Sequence, residues 1–340
     1  MSIKYLIVIG GNRESEDSPL DFILNYTNKK NIKLIYVTNN IHLKKPCKNY
    51  KSFKEFLEKK KVNYLVKSSL KNVNFLKLHI KKYPNTFVLT TFCFFKINKK
   101  IIKIFKNKIF NYHLGKIPEQ VGASATFWYI MSSQKKTAIT FQKISTELDS
   151  GDIIYEKELS MRRKIFSLKE LYKYVRKNEK SAIYNFLDII FKKKKILFLK
   201  KNLIKNRVYM PRLNTLVHGF IDWNWSAKDI AIFCSVFDDP YAGASTFLEK
   251  KRVFLKKVSY HQHKINFHPF QYGIIFNKSN SKIFVACKSG YIKAEIFSNK
   301  NIIKPNKIIL GRRLYTDQIH LDEAKKKRSA HTGKGIKVKV

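Results

Sequence analysis

Apolar residues in this chain fall into two rhythms, a strand rhythm and a helix rhythm, and the two alternate. The first apolar run, Tyr5-Leu6-Ile7-Val8-Ile9, is closed by Gly10-Gly11. Five consecutive apolar residues ended by glycine predict a strand buried on both faces, as in a parallel sheet. Pro19 to Asn28 then carries Leu20, Ile23 and Leu24 on one helical side, and Lys33 to Thr38 is a second strand. This β-α-β opening implies a parallel sheet with a right-handed crossover. The alternation continues with a helix from Phe53 to Lys60, a strand from Asn63 to Val66, a helix from Asn72 to Lys82 and a buried strand from Phe87 to Thr91.

The next stretch, Lys108 to Gly151, carries the polar groups that chemistry needs. Lys108-Ile109-Phe110 ends a buried strand, and strand alternation puts Asn111 and His113 on one face. Turn residues Gly115, Pro118 and Gly122 break the pattern. A helix from Ala123 to about Ser132 and a strand from Thr137 to Phe141 follow, then a polar turn from Glu147 to Asp152. Two loops around one helix-and-strand excursion therefore deliver an amide, an imidazole and a carboxylate (Asp149). That set suits a reaction in which a proton moves while negative charge builds on an oxygen.

Ser167 to Lys193 predicts one long helix, with Ser167 and Glu170 at capping-box spacing. Its apolar positions, Leu168, Leu171, Val175, Ile183, Phe186, Leu187 and Ile190, recur at helical spacing and should cover one sheet face. The pattern is mixed and basic from Phe198 to Asn214, as in a linker. Ser226 then caps a helix to Val236. Short alternating segments come next: Ala244 to Leu248, Arg252 to Val258, Tyr272 to Phe276, Lys282 to Cys287, Tyr291 to Phe297 and Lys307 to Leu310. Their spacing predicts a small β-barrel. Glu323 to Val340 reads as a basic, disordered tail. The organisation expected is a Rossmann-like α/β domain over 1–197, a linker over 198–220, a barrel over 221–316 and a tail over 317–340.

Composition narrows the setting. Lys and Arg number 69 against 24 Asp and Glu, a formal charge of +45. A field of that sign favours tRNA, nucleotide-linked molecules or anionic membranes. Lysine, isoleucine, asparagine and phenylalanine are also abundant throughout, as an AT-rich coding sequence would give, so much of the charge is a solvated surface. No apolar run approaches the roughly 18 residues of a membrane span. The start moves straight into a strand pattern, so a cytoplasmic protein is expected. The four cysteines are far apart. His261-Gln262-His263 with His268 is the one metal-like spacing, but no nearby carboxylate or cysteine completes a set, and no metal is expected.

Asn111-Tyr112-His113, Pro118-Glu119-Gln120-Val121-Gly122 and Leu148-Asp149-Ser150-Gly151, in this order, resemble the folate-dependent formyltransferases. Gly219-Phe220-Ile221-Asp222-Trp223 and Pro240-Tyr241-Ala242-Gly243-Ala244 resemble the start of that family's C-terminal domain, so the likeness runs to about Leu314. The resemblance implies an oligonucleotide-fold-like (OB-like) barrel, 10-formyltetrahydrofolate as formyl donor, and a primary amine as acceptor. It assigns catalysis to Asn111, His113 and Asp149. Phe92, Cys93, Phe94, Thr140 and Leu148 would hold the folate. Gly115, Pro118, Gly122 and Trp128 would shape the acceptor side, with Trp128 offering a stacking or a packing face.

The acceptor expected is methionyl-tRNA, with a nucleotide-linked amino sugar as a nearly equal alternative. Methionyl-tRNA is favoured by the two-domain organisation, the charge, and a basic loop from Ile41 to Lys51 with Lys44, Lys45, Lys48 and Lys51. A nucleotide-linked amino sugar is favoured by a departure from the methionyl-tRNA branch. Leu114-Gly115-Lys116-Ile117-Pro118 replaces its usual Ser-Leu-Leu-Pro, and Val121 stands where it has an arginine. Ala125-Thr126-Phe127-Trp128 is closer to the amino-sugar enzymes. A third reading, a non-catalytic nucleic-acid-binding protein on a retired fold, is opposed by the intact Asn111, His113 and Asp149.

Overall fold

The structure, a computed structural model of the chain, describes residues 3–11, 19–47, 49–160, 167–192, 199, 206–264, 266–298, 301–332 and 335–339. The N-terminal elements are β1 (Tyr5–Gly10), α1 (Pro19–Lys29), β2 (Lys33–Thr38), α2 (Asn40–Leu43), α3 (Phe53–Lys59), β3 (Asn63–Val66), α4 (Asn74–Lys82) and β4 (Thr86–Thr91). They continue as α5 (Lys99–Phe105), β5 (Ile109–Leu114), α6 (Ala125–Met131), β6 (Lys136–Lys143), β7 (Ile153–Ser160) and α7 (Leu168–Lys192). Among the described residues seven strands form one sheet in the order β3-β2-β1-β4-β5-β6-β7. The first five are parallel, and β6 and β7 are added antiparallel.

Helices cover both faces, and the strand alternation shows in the core. Leu6 and Val8 of β1 pack with α1, α3 and α7, whereas Ile7 and Ile9 pack with α4 and α5 on the other face. In α7, Leu168, Leu171, Val175, Ile183, Phe186, Leu187 and Ile190 are all buried, as their spacing predicts. Ser167 Oγ accepts from Glu170 N at 3.2 Å at its start. Tyr112, between Asn111 and His113, points to the opposite face and donates to the buried Glu179 of α7. The strand is thereby tied to the helix behind it, and its other face is left for Asn111 and His113.

After the linker come α8 (Thr215–His218) and α9 (Ala227–Phe237), the latter capped by Ser226, whose Oγ accepts from Asp229 N. The strands β8 (Ala244–Leu248), β9 (Lys251–His261), β10 (Ile275–Lys278), β11 (Ile283–Cys287), β12 (Gly290–Ser298), β13 (Asn301–Ile302) and β14 (Leu314–Tyr315) follow. They form an antiparallel half-barrel in the order β10-β11-β12-β9-β8-β14, with β13 paired to β12. The expected strand from Lys307 to Leu310 is instead a 3₁₀ turn over Pro305–Lys307 and a connection to β14.

Two expectations are corrected. The basic loop from Ile41 begins as α2, because Asn39 Oδ1 accepts from His42 N and caps a helical turn; Lys48 lies outside the described residues. The described residues of the C-terminal tail are ordered, as α10 (Gln318–Lys326) and a hairpin of β15 (Arg328–Thr332) with β16 (Gly335–Lys339). Polar contacts tie the end of α10 and the hairpin to the linker region. His218 Nε2 bonds Lys327 O at 3.2 Å, and Ser329 Oγ donates to Arg212 O at 2.8 Å.

Candidate active site

Asn111 and His113 stand on β5 with Thr90 of β4 and Gln142 of β6 directly opposite Asn111 in register. A row of polar side chains thus crosses three strands. Thr90 Oγ1 donates to Asn111 Oδ1 at 2.7 Å, which fixes the amide so that its nitrogen faces Asp149. Asn111 Nδ2 and Gln142 Nε2 donate to Asp149 Oδ1 at 3.2 and 2.8 Å, and the backbone N–H of Gly122 donates to Oδ2 at 3.0 Å. Three donors therefore hold the carboxylate. Gly122 has φ 116°, a conformation that a side chain at this position would resist.

His113 is buried, with 8% of its surface exposed. Its Nε2 donates to Gln120 O at 2.6 Å, and its Nδ1 stands 3.8 Å from Asp149 Oδ2. Gln120 is itself fixed. Its Oε1 accepts from Lys116 N at 2.8 Å and Thr137 Oγ1 at 2.7 Å, and its Nε2 donates to Lys136 O at 3.0 Å and to Gln134. The loop after β5 is thereby locked with one carbonyl presented to the imidazole. Gly115 leaves room for this, since a Cβ there would lie 2.6 Å from His113 Nε2 and 2.7 Å from Gln120 O.

These groups line a cavity of about 650 Å³. Its lining includes Phe92, Cys93, Phe95, Ile97, Ile144 and Leu148, and also Phe127, Tyr172, Arg212, Leu213 and Tyr241. Burial pushes the Cys93 thiol up to about 12, so it is no nucleophile near neutral pH.

Of the residues singled out from sequence, Asn111, His113, Asp149, Phe92, Cys93, Leu148 and Gly122 line the cavity. The others lie behind it. Phe94 turns away and stacks on His42, ring centroids 4.4 Å apart, and Phe95 takes its place. Thr140 is buried in β6 and donates to Gly115 O at 2.8 Å. Pro118 O accepts from Val208 N at 3.2 Å, and Trp128 Nε1 donates to Pro211 O at 2.8 Å, so both hold the linker.

The linker itself is part of the site, which its mixed pattern concealed. Val208 and Met210 bond the loop at Pro118 and Val121 as a short parallel ladder. Arg207 pairs with Glu147 at 3.5 Å and donates to Leu148 O, which pins the loop that carries Asp149. Thr90 and Gln142 were legible in principle, because each faces Asn111 once the strands are set in register.

Residues 15–187 match the formyl transferase family, and residues 217–313 match the formyl transferase C-terminal domain. The chain belongs to the formyl transferase family. It is 25% identical over 280 residues to the bifunctional polymyxin resistance protein ArnA of Wigglesworthia glossinidia brevipalpis, covering 77% of this chain and 40% of that relative. The chain thus spans less than half of that relative's length. It is 24% identical over 256 residues to the methionyl-tRNA formyltransferase of Rickettsia prowazekii, covering 74% of this chain and 79% of the relative. An N-formyltransferase structure from Helicobacter canadensis superposes with a TM-score of 0.58 at 16% identity, over 87% of this chain and all of that one. Within that family match, the amide and imidazole stand on strand β5 and the carboxylate on the loop after β6, so the expectation that two loops deliver all three is corrected. No helix among the described residues is long and apolar enough to cross a membrane.

Proposed function

We propose that this formyltransferase moves the formyl group of 10-formyltetrahydrofolate to the primary amine of a nucleotide-linked amino sugar. The observation that carries the transfer step is the convergence of Asn111, His113 and Asp149 on one cavity wall. Asn111 spends one N–H on Asp149 and has a second for the formyl oxygen as negative charge develops there. One such donor supplies about 10²–10³ in rate. With Nε2 committed to Gln120 O, Nδ1 is the nitrogen of His113 that takes the amine's proton as the amine nitrogen bonds the formyl carbon. That proton passes to the tetrahydrofolate nitrogen as its bond to the formyl carbon breaks, while Asp149 Oδ2 holds the protonated ring. The aromatic and apolar lining at Phe92, Phe95, Ile97 and Leu148 suits the flat ring system of the donor.

The acceptor reading rests on the C-terminal hairpin. Ile336 of β16 lines the cavity, and Gly335 lies beside Ile41 of α2, so the hairpin contributes to the cavity wall next to the basic loop. About 650 Å³ is the volume of a small-molecule site. Methionyl-tRNA is the second reading, favoured by the curated methionyl-tRNA relatives, the +45 charge and a half-barrel that we read as OB-like. Either acceptor implies a cytoplasmic enzyme of two domains, divided near 198–220.

Purified protein with 10-formyltetrahydrofolate should release tetrahydrofolate, followed by absorbance, when given a nucleoside-diphosphate amino-deoxyhexose. Initiator methionyl-tRNA should give little or none. Efficient formylation of the tRNA alone would reverse the acceptor assignment, and release with neither would reject the transfer itself.

A further inference from the structure

One side of the cavity carries a cation that the transfer chemistry does not use. Arg212 lies in the linker and lines the cavity beside Tyr172, Leu213 and Tyr241. The backbone around it is held by three hydrogen bonds, two from α6 and its N-cap and one from the C-terminal hairpin. Trp128 Nε1 of α6 donates to Pro211 O at 2.8 Å, and Leu213 N donates to Ser124 Oγ at 2.9 Å. Ser329 Oγ of the C-terminal hairpin donates to Arg212 O at 2.8 Å.

The side chain is not matched in the same way. Arg212 Nε is buried with no hydrogen-bond partner among the described residues, and no described carboxylate forms an ion pair with this guanidinium. The two carboxylates of the cavity wall are committed elsewhere, Glu147 to Arg207 and Asp149 to Asn111, Gln142 and Gly122. Burial lowers the pKa of Arg212, yet a guanidinium keeps its proton in a protein. Arg212 as a whole is only partly buried, but a guanidinium N–H sealed from water without an acceptor is costly unless a ligand supplies one. A guanidinium held in a fixed fork is suited to phosphate oxygens, which it meets with two parallel N–H bonds.

Position identifies which substrate this would be. Cys93, Ile97 and Ile144 pack into the cluster on the α4–α5 face of the sheet. Phe127, Tyr172, Leu213 and Tyr241 pack into the other cluster, and the Phe127 and Tyr241 rings lie 5.5 Å apart. Arg212 therefore lies on the side of the cavity opposite Cys93, Phe95, Ile97 and Ile144, although Phe92 packs into the same cluster as Phe127 and Tyr241. We propose that Arg212 anchors the diphosphate of the acceptor, which makes this side of the cavity selective for a nucleoside-diphosphate-linked amine. The assignment rests on the formyltransferase reading for the word acceptor, but the anion site stands on the geometry of Arg212.

The test uses the full chain, with inorganic pyrophosphate and a nucleoside diphosphate as probes, titrated calorimetrically. Wild type should bind both. Arg212→Met should weaken both by ~10–100-fold, the size of a charged hydrogen bond, and Arg212→Lys should fall between. Folinic acid, probing the donor side, should bind all three proteins equally. Arg212→Met should also melt at or above wild type without ligand, because an N–H sealed from water without an acceptor has gone; a purely structural arginine would lower the melting temperature. Equal diphosphate binding by wild type and Arg212→Met would overturn the proposal, as would loss of folinic acid affinity in place of diphosphate affinity. Failure of wild type to bind folinic acid would reject the formyltransferase reading while leaving the diphosphate result to stand or fall by itself.

Discussion

Asp149 illustrates how little freedom the reacting groups have. Its carboxylate receives three N–H donors, so any replacement that cannot accept all three disturbs Asn111 and Gly122 together. Asp149→Asn places an NH₂ against at least one donor and removes the charge that faces His113. Turnover should fall by ~10²–10⁴-fold, the contribution of a positioned proton-transfer group; circular dichroism should show the fold retained. A rate within a few fold of wild type would show that Asp149 only holds the turn. Gly115→Ala tests positioning of the imidazole, since the added Cβ would sit 2.6 Å from His113 Nε2. We expect a loss of about tenfold or more in kcat, the cost of displacing a reacting group by an ångström, with a lower melting temperature as well, because the same Cβ meets Gln120 O at 2.7 Å. Asn111, His113 and Asp149 were legible because polar residues interrupt apolar patterns at fixed spacing. Arg207, Gln120 and Arg212 were not, because a basic or amide residue in a loop gives no periodic signal, and only the fold shows what it faces.

The elements show the same division between periodic and non-periodic signals. The parallel strands and α7 were legible from their apolar rhythm, which long-range packing reinforces. β7 was not, because it is the edge of the sheet, and Tyr155-Glu156-Lys157-Glu158 lack the continuous apolar run of a central strand. α5 was hidden in a lysine-rich stretch whose Ile101 and Phe105 are its buried residues. In the hairpin, charge concealed a clear alternation, with Ile336 and Val338 separated by Lys337. Behind the site, Tyr112 and Arg176 both meet the buried Glu179, and Arg176 lies 3.9 Å from Asp21 of α1. Glu179→Leu should therefore destabilise the chain by about 3–5 kcal/mol, as breaking one side of a buried ionic set does. Urea denaturation measures it, and a loss under 1 kcal/mol would show that α7 is held by its apolar face alone. Ending the chain after Lys327 should act differently. Ile336 and Val338 are 49% and 43% exposed, so melting should change little while the KM for the acceptor rises several-fold. Unchanged KM would remove the hairpin from the acceptor site.

At the scale of the whole molecule, charge and cavity point to different acceptors, and salt separates them. The chain has 69 lysines and arginines, and among the described residues four line the cavity: Lys45, Lys96, Lys143 and Arg212. The net +45 is thus carried mainly by the outer surface, where it attracts any polyanion over about a Debye length. That attraction predicts tRNA binding at low salt whatever the true acceptor, so affinity alone decides nothing. Each phosphate neutralised on a nucleic acid contributes roughly 0.7–0.9 to the fall of log K with log salt. A tRNA held by many surface lysines should therefore be released steeply near physiological salt, and should not inhibit turnover there. A nucleoside diphosphate presents only about two phosphates, and a partly buried anchor such as Arg212 is screened less than an exposed lysine. Its KM should change by less than about tenfold between 50 and 200 mM salt. The measurement is formyl transfer to the amino sugar across that range, with initiator and elongator methionyl-tRNA as competitors and as substrates. Retained turnover without tRNA inhibition at the upper salt supports the small acceptor. Formylation of initiator over elongator tRNA at the same salt would instead require specific contacts, and the surface lysines would then be part of the site.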